Sequence, residues 1–240
     1  MKLLVSVRSV EEALLAAEGR VDFIDLKEPG HGALGGLPIA TIRDIVGALR
    51  RHDSGLAISA TIGDVAMHET HRIATCVDAV GACGVDYVKV GIERVPQARV
   101  VLDALAASAW PIVPVFIADK GLELADVAHA CALGFPGVMA DTFDKSAGSL
   151  FDAVPMEDLR RFVAAVRATG TMVGLAGALR PMHEPLLRTL APDFAGFRTA
   201  VCAGDRSSAL DPRRLQSLVA LMHGHERAEA GTPHQSSNLT

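Results

Sequence analysis

The feature that most constrains the fold of this chain is an alternation repeated eight times. Short apolar runs, many of them β-branched, occur at 3–7 (LLVSV), 22–27 (DFIDLK), 56–62 (LAISATI), 86–91 (DYVKVG), 111–118 (PIVPVFIA), 137–141 (GVMAD), 171–177 (TMVGLAG) and 193–198 (DFAGFR). Helical spacing of apolar residues follows each run, near 9–18, 38–52, 66–82, 95–108, 122–133, 155–169, 180–190 and 211–223. Strands that alternate with helices one for one pair in parallel, because a parallel neighbour needs a crossover long enough to hold a helix. Eight such units in 240 residues predict an α/β fold, a (β/α)8 TIM barrel, as a single domain over residues 1–223. A doubly wound open sheet is the alternative, and eight repeats without a GxGxxG turn after the first strand speak against it. Residues 224–240 are polar and aperiodic, and read as a disordered tail.

Local signals mark several helix ends. Ser9 followed by Glu12 has the spacing of a capping box. Pro38, Pro155 and Pro212 suit first-turn positions, and Gly19, Gly84, Gly134 and Gly170 suit helix ends.

The net charge of −5, with no basic block, gives no indication of nucleic-acid binding. No run reaches the ~18 apolar residues of a transmembrane helix, and charges interrupt the N-terminus before a signal-peptide core forms. Cys76, Cys83, Cys131 and Cys202 show no CxxC pairing. A cytoplasmic protein with reduced thiols is expected. His68 and His71 in HETH read as surface residues, so no metal site is expected. Walker and G-x-S-x-G motifs are absent from the sequence. Barrels of this kind often assemble, and a homo-oligomer is expected.

The lysines are informative. Only five occur (Lys2, Lys27, Lys89, Lys120 and Lys145) against eighteen arginines. Side chains alternate faces along a strand. If Ile24 and Leu26 face the helices, Asp25 and Lys27 face the barrel interior. The same parity sends Val88 and Val90 outward with Tyr87 and Lys89 inward, and Val138 and Ala140 outward with Met139 and Asp141 inward. Lys120 and Lys145 follow the fifth and sixth strands. All but Lys2 therefore fall at the C-terminal end of the barrel, where enzymes of this fold carry out chemistry.

Each inward lysine could simply pair with Asp25 or Asp141 as a buried salt bridge. Several buried ammonium groups together, however, are expensive unless function uses them. Crowding also lowers a lysine pKa and yields the neutral amine that attacks a carbonyl as a Schiff-base nucleophile. Beyond the seventh and eighth strands, GLAGALR (174–180) and FRTAVCAGDRSS (197–208) suggest a phosphate cradle, with Gly174 and Gly177 admitting an anion and Arg198 supplying a cation. HGALGG (31–36) is a further Gly-rich loop that could fold over a substrate.

Together, DFIDLKEPGHGALGG, DYVKVG, ADTFDKSAG and GLAGAL…FAGFRTAVC resemble the (5-formylfuran-3-yl)methyl phosphate synthase family, also called 4-(hydroxymethyl)-2-furancarboxaldehyde-phosphate synthase. The resemblance runs from residue 1 to about 205. It implies a lyase that condenses two molecules of glyceraldehyde 3-phosphate, without an organic cofactor, into a furan aldehyde phosphate for methanofuran-type one-carbon carriers. It also implies that Lys27 is the Schiff-base lysine and Lys89 the proton acceptor, with Asp25 beside the nucleophile and Asp141/Lys145 as a further pair. An ordinary class I aldolase acting on sugar phosphates and a non-catalytic barrel that binds a phosphorylated metabolite are the competing readings.

Overall fold

The computed structural model describes residues 1–230 apart from 31, 33, 53 and 54. Eight parallel strands in sequence order close into a barrel: β1 (Lys2–Val7), β2 (Phe23–Leu26), β3 (Ala57–Thr61), β4 (Tyr87–Ile92), β5 (Ile112–Ile117), β6 (Gly137–Asp141), β7 (Met172–Leu175) and β8 (Phe194–Phe197), which pairs back onto β1. The helices are α1 (Val10–Glu18), α2 (Ile39–Arg51), α3 (Thr70–Gly81), α4 (Ala98–Ala106), α5 (Leu124–Ala132), α6 (Leu150–Ala153), α7 (Met156–Arg167), α8 (Glu184–Leu190) and α9 (Pro212–Ala230). The protein is thus a (β/α)8 TIM barrel, not an open sheet.

Every predicted strand–helix unit is present. The short α6 was not foreseen; the reciprocal Ser149/Asp152 capping box starts it. Helix α9 continues through residues 224–230, which the sequence placed in a disordered tail, while 231–240 lie outside the described residues. Gly84, Gly134 and Gly170 take positive φ (86°, 78° and 76°) at helix ends; Gly19 also ends its helix, as the C-cap of α1, but with φ −68°, and Arg20 is the left-handed residue there. The Ser9 side chain accepts from the Glu12 N–H at 3.3 Å. The return half of the box differs, because the Glu12 carboxylate accepts from the Arg8 N–H at 3.0 Å.

Parity along the strands divides the core in two. Ile24, Leu26, Val88, Val90, Val138 and Ala140 pack outward against the helices. A separate inner cluster, including Leu4, Val113, Val115, Met139 and Phe194 with Phe23 against it, fills the barrel. Phe23 and Phe194 pack with tilted rings, centroids 5.5 Å apart, and Lys2 lies 5.3 Å from the Phe23 centroid. That aromatic plug stands at the N-terminal end, which explains why Lys2 is the lysine away from the mouth.

Further along the barrel axis the inward positions become polar. Ser6 pairs in register with Asp25, and Asp25 with Ser59. This change from apolar to polar side chains, layer by layer, makes the floor of a site.

Gly174, expected in a phosphate loop, lies within β7 instead and is paired in register with Phe194. A Cβ at this position would overlap the Phe194 ring. The missing side chain makes room for the aromatic plug, so Gly174 belongs to the core and not to an anion site.

Candidate active site

Lys27, Lys89 and Lys145 converge on one cavity, open to solvent at the C-terminal mouth of the barrel. Lys89 comes from β4; Lys27 follows β2 and Lys145 lies in the loop after β6. Their side chains are 9, 4 and 10 % exposed for Lys27, Lys89 and Lys145 respectively. Two carboxylates, Asp25 and Asp141, share these three ammonium groups. Lys89 donates to Asp25 Oδ1 at 2.9 Å. Lys27 donates to Asp141 Oδ2 at 3.2 Å, while Lys145 holds the other oxygen, Oδ1. Salt bridges with lumen carboxylates are therefore present, and they leave one cation in excess. The direct partner of Lys27 is Asp141, not the Asp25 that stands two residues before it in the chain.

Both carboxylates are fixed from behind. Ser59 Oγ donates to Asp25 Oδ1 at 2.7 Å and Ser6 Oγ to Oδ2 at 3.0 Å. The Thr142 N–H donates to Asp141 Oδ1 at 2.8 Å. Burial on its own would raise both acids, but the lysine charges outweigh it. Lys89, then Lys27, hold Asp25 below the usual carboxylate range, with help from Lys89 and Ser59 hydrogen bonds. Lys145 and Lys27 hold Asp141 far below it. Burial pushes Lys145 down to about 8, opposed by Asp141 and reinforced by the charge of Lys27. The crowding expected between Lys27 and Lys89 thus acts on Lys145, the lysine of the β6 loop.

The remaining expected lysine, Lys120, pairs with Glu93 at 2.9 Å and lies over the Phe143 ring, 4.0 Å from its centroid. It sits on the rim, outside the cavity lining. The loop containing residues 31–36 brings Leu34 to the cavity wall, and Leu34 is anchored by its N–H to Asp64 Oδ1 at 3.1 Å. His31 and Ala33 of that loop lie outside the described residues.

Of the expected phosphate residues, Gly177 lines the cavity with φ 119°. Its carbonyl accepts from the Leu150 N–H at 2.8 Å, fixing it against the start of α6. Among the described residues the amides of Gly177, Ala178 and Thr199, all on the cavity wall, have no hydrogen-bond acceptor. Arg198 also lines the cavity, but its guanidinium is turned to protein acceptors. Its Nη1 donates to Glu12 Oε2 (2.5 Å) and the Ser6 carbonyl (3.1 Å). Its Nη2 donates to Glu12 Oε1 (3.1 Å) and the Ser208 carbonyl (2.8 Å). Its Nε donates to the Arg206 carbonyl at 2.9 Å. All five N–H groups of the guanidinium are therefore occupied, and none is free for a ligand. Sequence reasoning missed Glu12, Ser6 and Ser59 as partners. It also missed Arg206, a second arginine on the cavity wall. Only the Gly-Asp-Arg-Ser-Ser stretch after β8 hinted at Arg206.

Residues 3–219 match the family model described as 4-HFC-P synthase. A protein of Archaeoglobus fulgidus named (5-formylfuran-3-yl)methyl phosphate synthase is 35% identical over 238 residues, covering 93% of this chain and 100% of that protein. A Methylorubrum extorquens relative, provisionally given the same name, is 38% identical over 231 residues, covering 95% and 94% of the two chains. The fold is similar to phosphoribosyl anthranilate isomerase from Thermus thermophilus (TM-score 0.64, 16% identity, 94% of this chain and 100% of that one). It is also similar to thiamine phosphate pyrophosphorylase from Pyrococcus furiosus (TM-score 0.62, 17% identity, 93% and 96%). At such identities the structural likeness speaks for the barrel alone. With a match spanning nearly the whole barrel, the chain belongs to the 4-HFC-P synthase family.

Proposed function

We propose that this enzyme condenses two molecules of glyceraldehyde 3-phosphate into (5-formylfuran-3-yl)methyl phosphate, with loss of phosphate and water, through a Schiff base on Lys27. The observation that carries the proposal is three lysines sharing two carboxylates in one buried cavity. A purely structural cluster would balance its charges, since a buried unpaired ammonium is costly. An excess cation suits a site that either sheds a proton or receives an anionic substrate.

In this reading the cluster sheds its excess proton from Lys27, whose neutral amine adds to the triose carbonyl, and the carbinolamine loses hydroxide as water to give an iminium. Lys145 supplies the proton for that departure. Its pKa of about 8 makes it a willing acid near neutral pH. Asp141, ionised between Lys27 and Lys145, holds both amines in place and stabilises the iminium charge. The iminium withdraws electrons, so a neighbouring C–H becomes acidic and phosphate can be eliminated. Lys89, set by Asp25, relays the carbon-bound proton to the departing phosphate, its ammonium giving up one proton as it takes the other. The product carries its phosphomethyl group as a branch at furan C3, so the enamine carbon bonds to C2 of the second triose, which a proton shift has first brought from the aldose to the ketose level. Ring closure and loss of water give the aromatic furan, and hydrolysis of the imine frees Lys27. The amides of Gly177, Ala178 and Thr199 suit the phosphate of the imine-bound triose. The product suits methanofuran-type carriers, as the resemblance implies.

Incubation with glyceraldehyde 3-phosphate alone tests the reaction. The proposal expects an ultraviolet-absorbing furan aldehyde together with inorganic phosphate. Reversible aldol products without phosphate release would favour a class I aldolase on the same lysine.

A further inference from the structure

Two arginines at the mouth differ in a way that assigns them different tasks. Arg198 has every N–H occupied by protein acceptors. Arg206 has a single long contact, Nη2 to the Gly32 carbonyl at 3.4 Å. Among the described residues it has no carboxylate within ion-pair distance and no other acceptor for its guanidinium. It is half-buried, and burial lowers its pKa below the usual arginine value, although a guanidinium stays charged. A half-buried guanidinium with most of its donors unmet is a site built for an anion.

The surroundings define which anion. Arg206 and Lys145 both line the catalytic cavity and a second, adjoining depression that is open to solvent. Pro29, Gly32, Phe143 and Ser146 form its other walls. The carboxylate on those walls, Asp144, is turned to its own loop: it accepts from the Ser146 N–H at 2.8 Å, Ser146 Oγ at 2.6 Å and the Ala147 N–H at 3.2 Å. Lys27 and the free amides of Gly177 and Thr199 line the inner cavity and not the outer one. A ligand that reaches from one cavity to the other passes Lys145 and ends beside Arg206.

We propose that Arg206, with Lys145 beside it, binds the phosphate of the second triose, the one that the Lys27 enamine attacks. This rests on the two-triose reading above, which requires places for two phosphates. The inner amides take one and the outer guanidinium the other. Arg198 then acts as a positioning residue. By donating to the carbonyls of Arg206 and Ser208 and pairing with buried Glu12, it ties the loop that carries Arg206 to α1. The geometry also gives specificity: an acceptor triose without a phosphate leaves the guanidinium unmet.

The test compares the wild type with Arg206→Gln and Arg206→Lys. Arg206 is on an open loop, so both variants should fold, and circular dichroism checks that they do. At saturating triose phosphate, the borohydride-trapped adduct at Lys27 should form to the wild-type extent in all three. Furan formation at limiting triose phosphate should fall roughly 10- to 100-fold in Arg206→Gln, the scale of lost hydrogen bonds to a charged group. Arg206→Lys should lie between, since a point charge replaces a bidentate fork. With unphosphorylated glyceraldehyde offered as acceptor, cross-condensation should be equally slow in wild type and Arg206→Gln. Wild-type furan kinetics in Arg206→Gln would overturn the proposal, and so would loss of the Lys27 adduct in step with the furan. If the wild type forms no adduct at all, the Schiff-base reading fails separately. Calorimetric titration with inorganic phosphate then decides for Arg206: binding weakened by Arg206→Gln upholds the anion site, and unchanged binding refutes it.

Discussion

Replacing Asp141 by Asn removes one charge from the cluster and almost no volume. The amide oxygen can still accept from the Thr142 N–H, so local shape survives. Lys27 and Lys145, both largely buried, are left without their counter-charge. Removing one partner from a buried ion pair costs about 3–5 kcal/mol. A lysine can limit that loss by releasing its proton, and Lys145 already lies at about 8. Without Asp141, which opposes the effect of burial, its folded pKa must fall further. The sign follows from linkage. Where the folded pKa is below the unfolded one, the unfolded chain binds more protons and stability rises with pH. In the variant this rise starts at lower pH than in the wild type, so the gap between the two proteins narrows as pH climbs towards 8. Each unit of additional pKa depression contributes about 1.4 kcal/mol to the narrowing. Urea unfolding should therefore show Asp141→Asn destabilised by about 3–5 kcal/mol at pH 6, and by about 1–3 kcal/mol less at pH 8.5. A loss under about 1 kcal/mol at pH 6, or one that is the same at both pH values, would refute the view of two ammonium groups held by one carboxylate.

Three further outcomes are expected. Turnover should decline as pH rises through about 8, where Lys145 loses the proton it donates; a profile that instead climbs through this region would show that Lys145 is needed as a base. Glu12→Ala leaves the buried Arg198 guanidinium without its carboxylate and should cost about 3–5 kcal/mol in urea unfolding; a change under about 1 kcal/mol would mean that water or the Ser6, Arg206 and Ser208 carbonyls suffice. Gly174→Ala pushes a methyl into the Phe194 ring and should lower stability by about 1–3 kcal/mol while leaving the Lys27 adduct intact; normal stability with weakened phosphate binding would restore Gly174 to the anion site.

The barrel was legible because strand–helix alternation is a local property of the chain. Parity along each strand then sufficed to turn Asp25, Lys89 and Asp141 inward, since a strand with one oily face leaves the other no choice. What parity does not contain is the stagger between strands that lie far apart in the chain. The pairing of Lys27 with Asp141, 114 residues away, depends on how β2 and β6 face each other across the closed barrel. Gly174 was misplaced for the same reason: only the register of β7 against β8 reveals that Phe194 takes its space. Arg198 looked like a ligand cation because its partner Glu12 lies 186 residues earlier, disguised as a helix-capping residue. Arg206 sits in an aperiodic loop, where sequence pattern carries no direction at all. The length of α9 escaped because its polar C-terminal turns have little apolar spacing to betray a helix.

The central claim is a covalent bond between Lys27 and a triose carbonyl, and the most direct measurement is the mass of the borohydride-reduced complex with its modified residue mapped. The account predicts one reduced triose adduct, located on the peptide that carries Lys27 and absent from Lys27→Arg, whose guanidinium cannot form the imine. An unmodified Lys27 peptide under conditions where furan is produced, or an adduct carried by Lys89 or Lys145 instead, would contradict it.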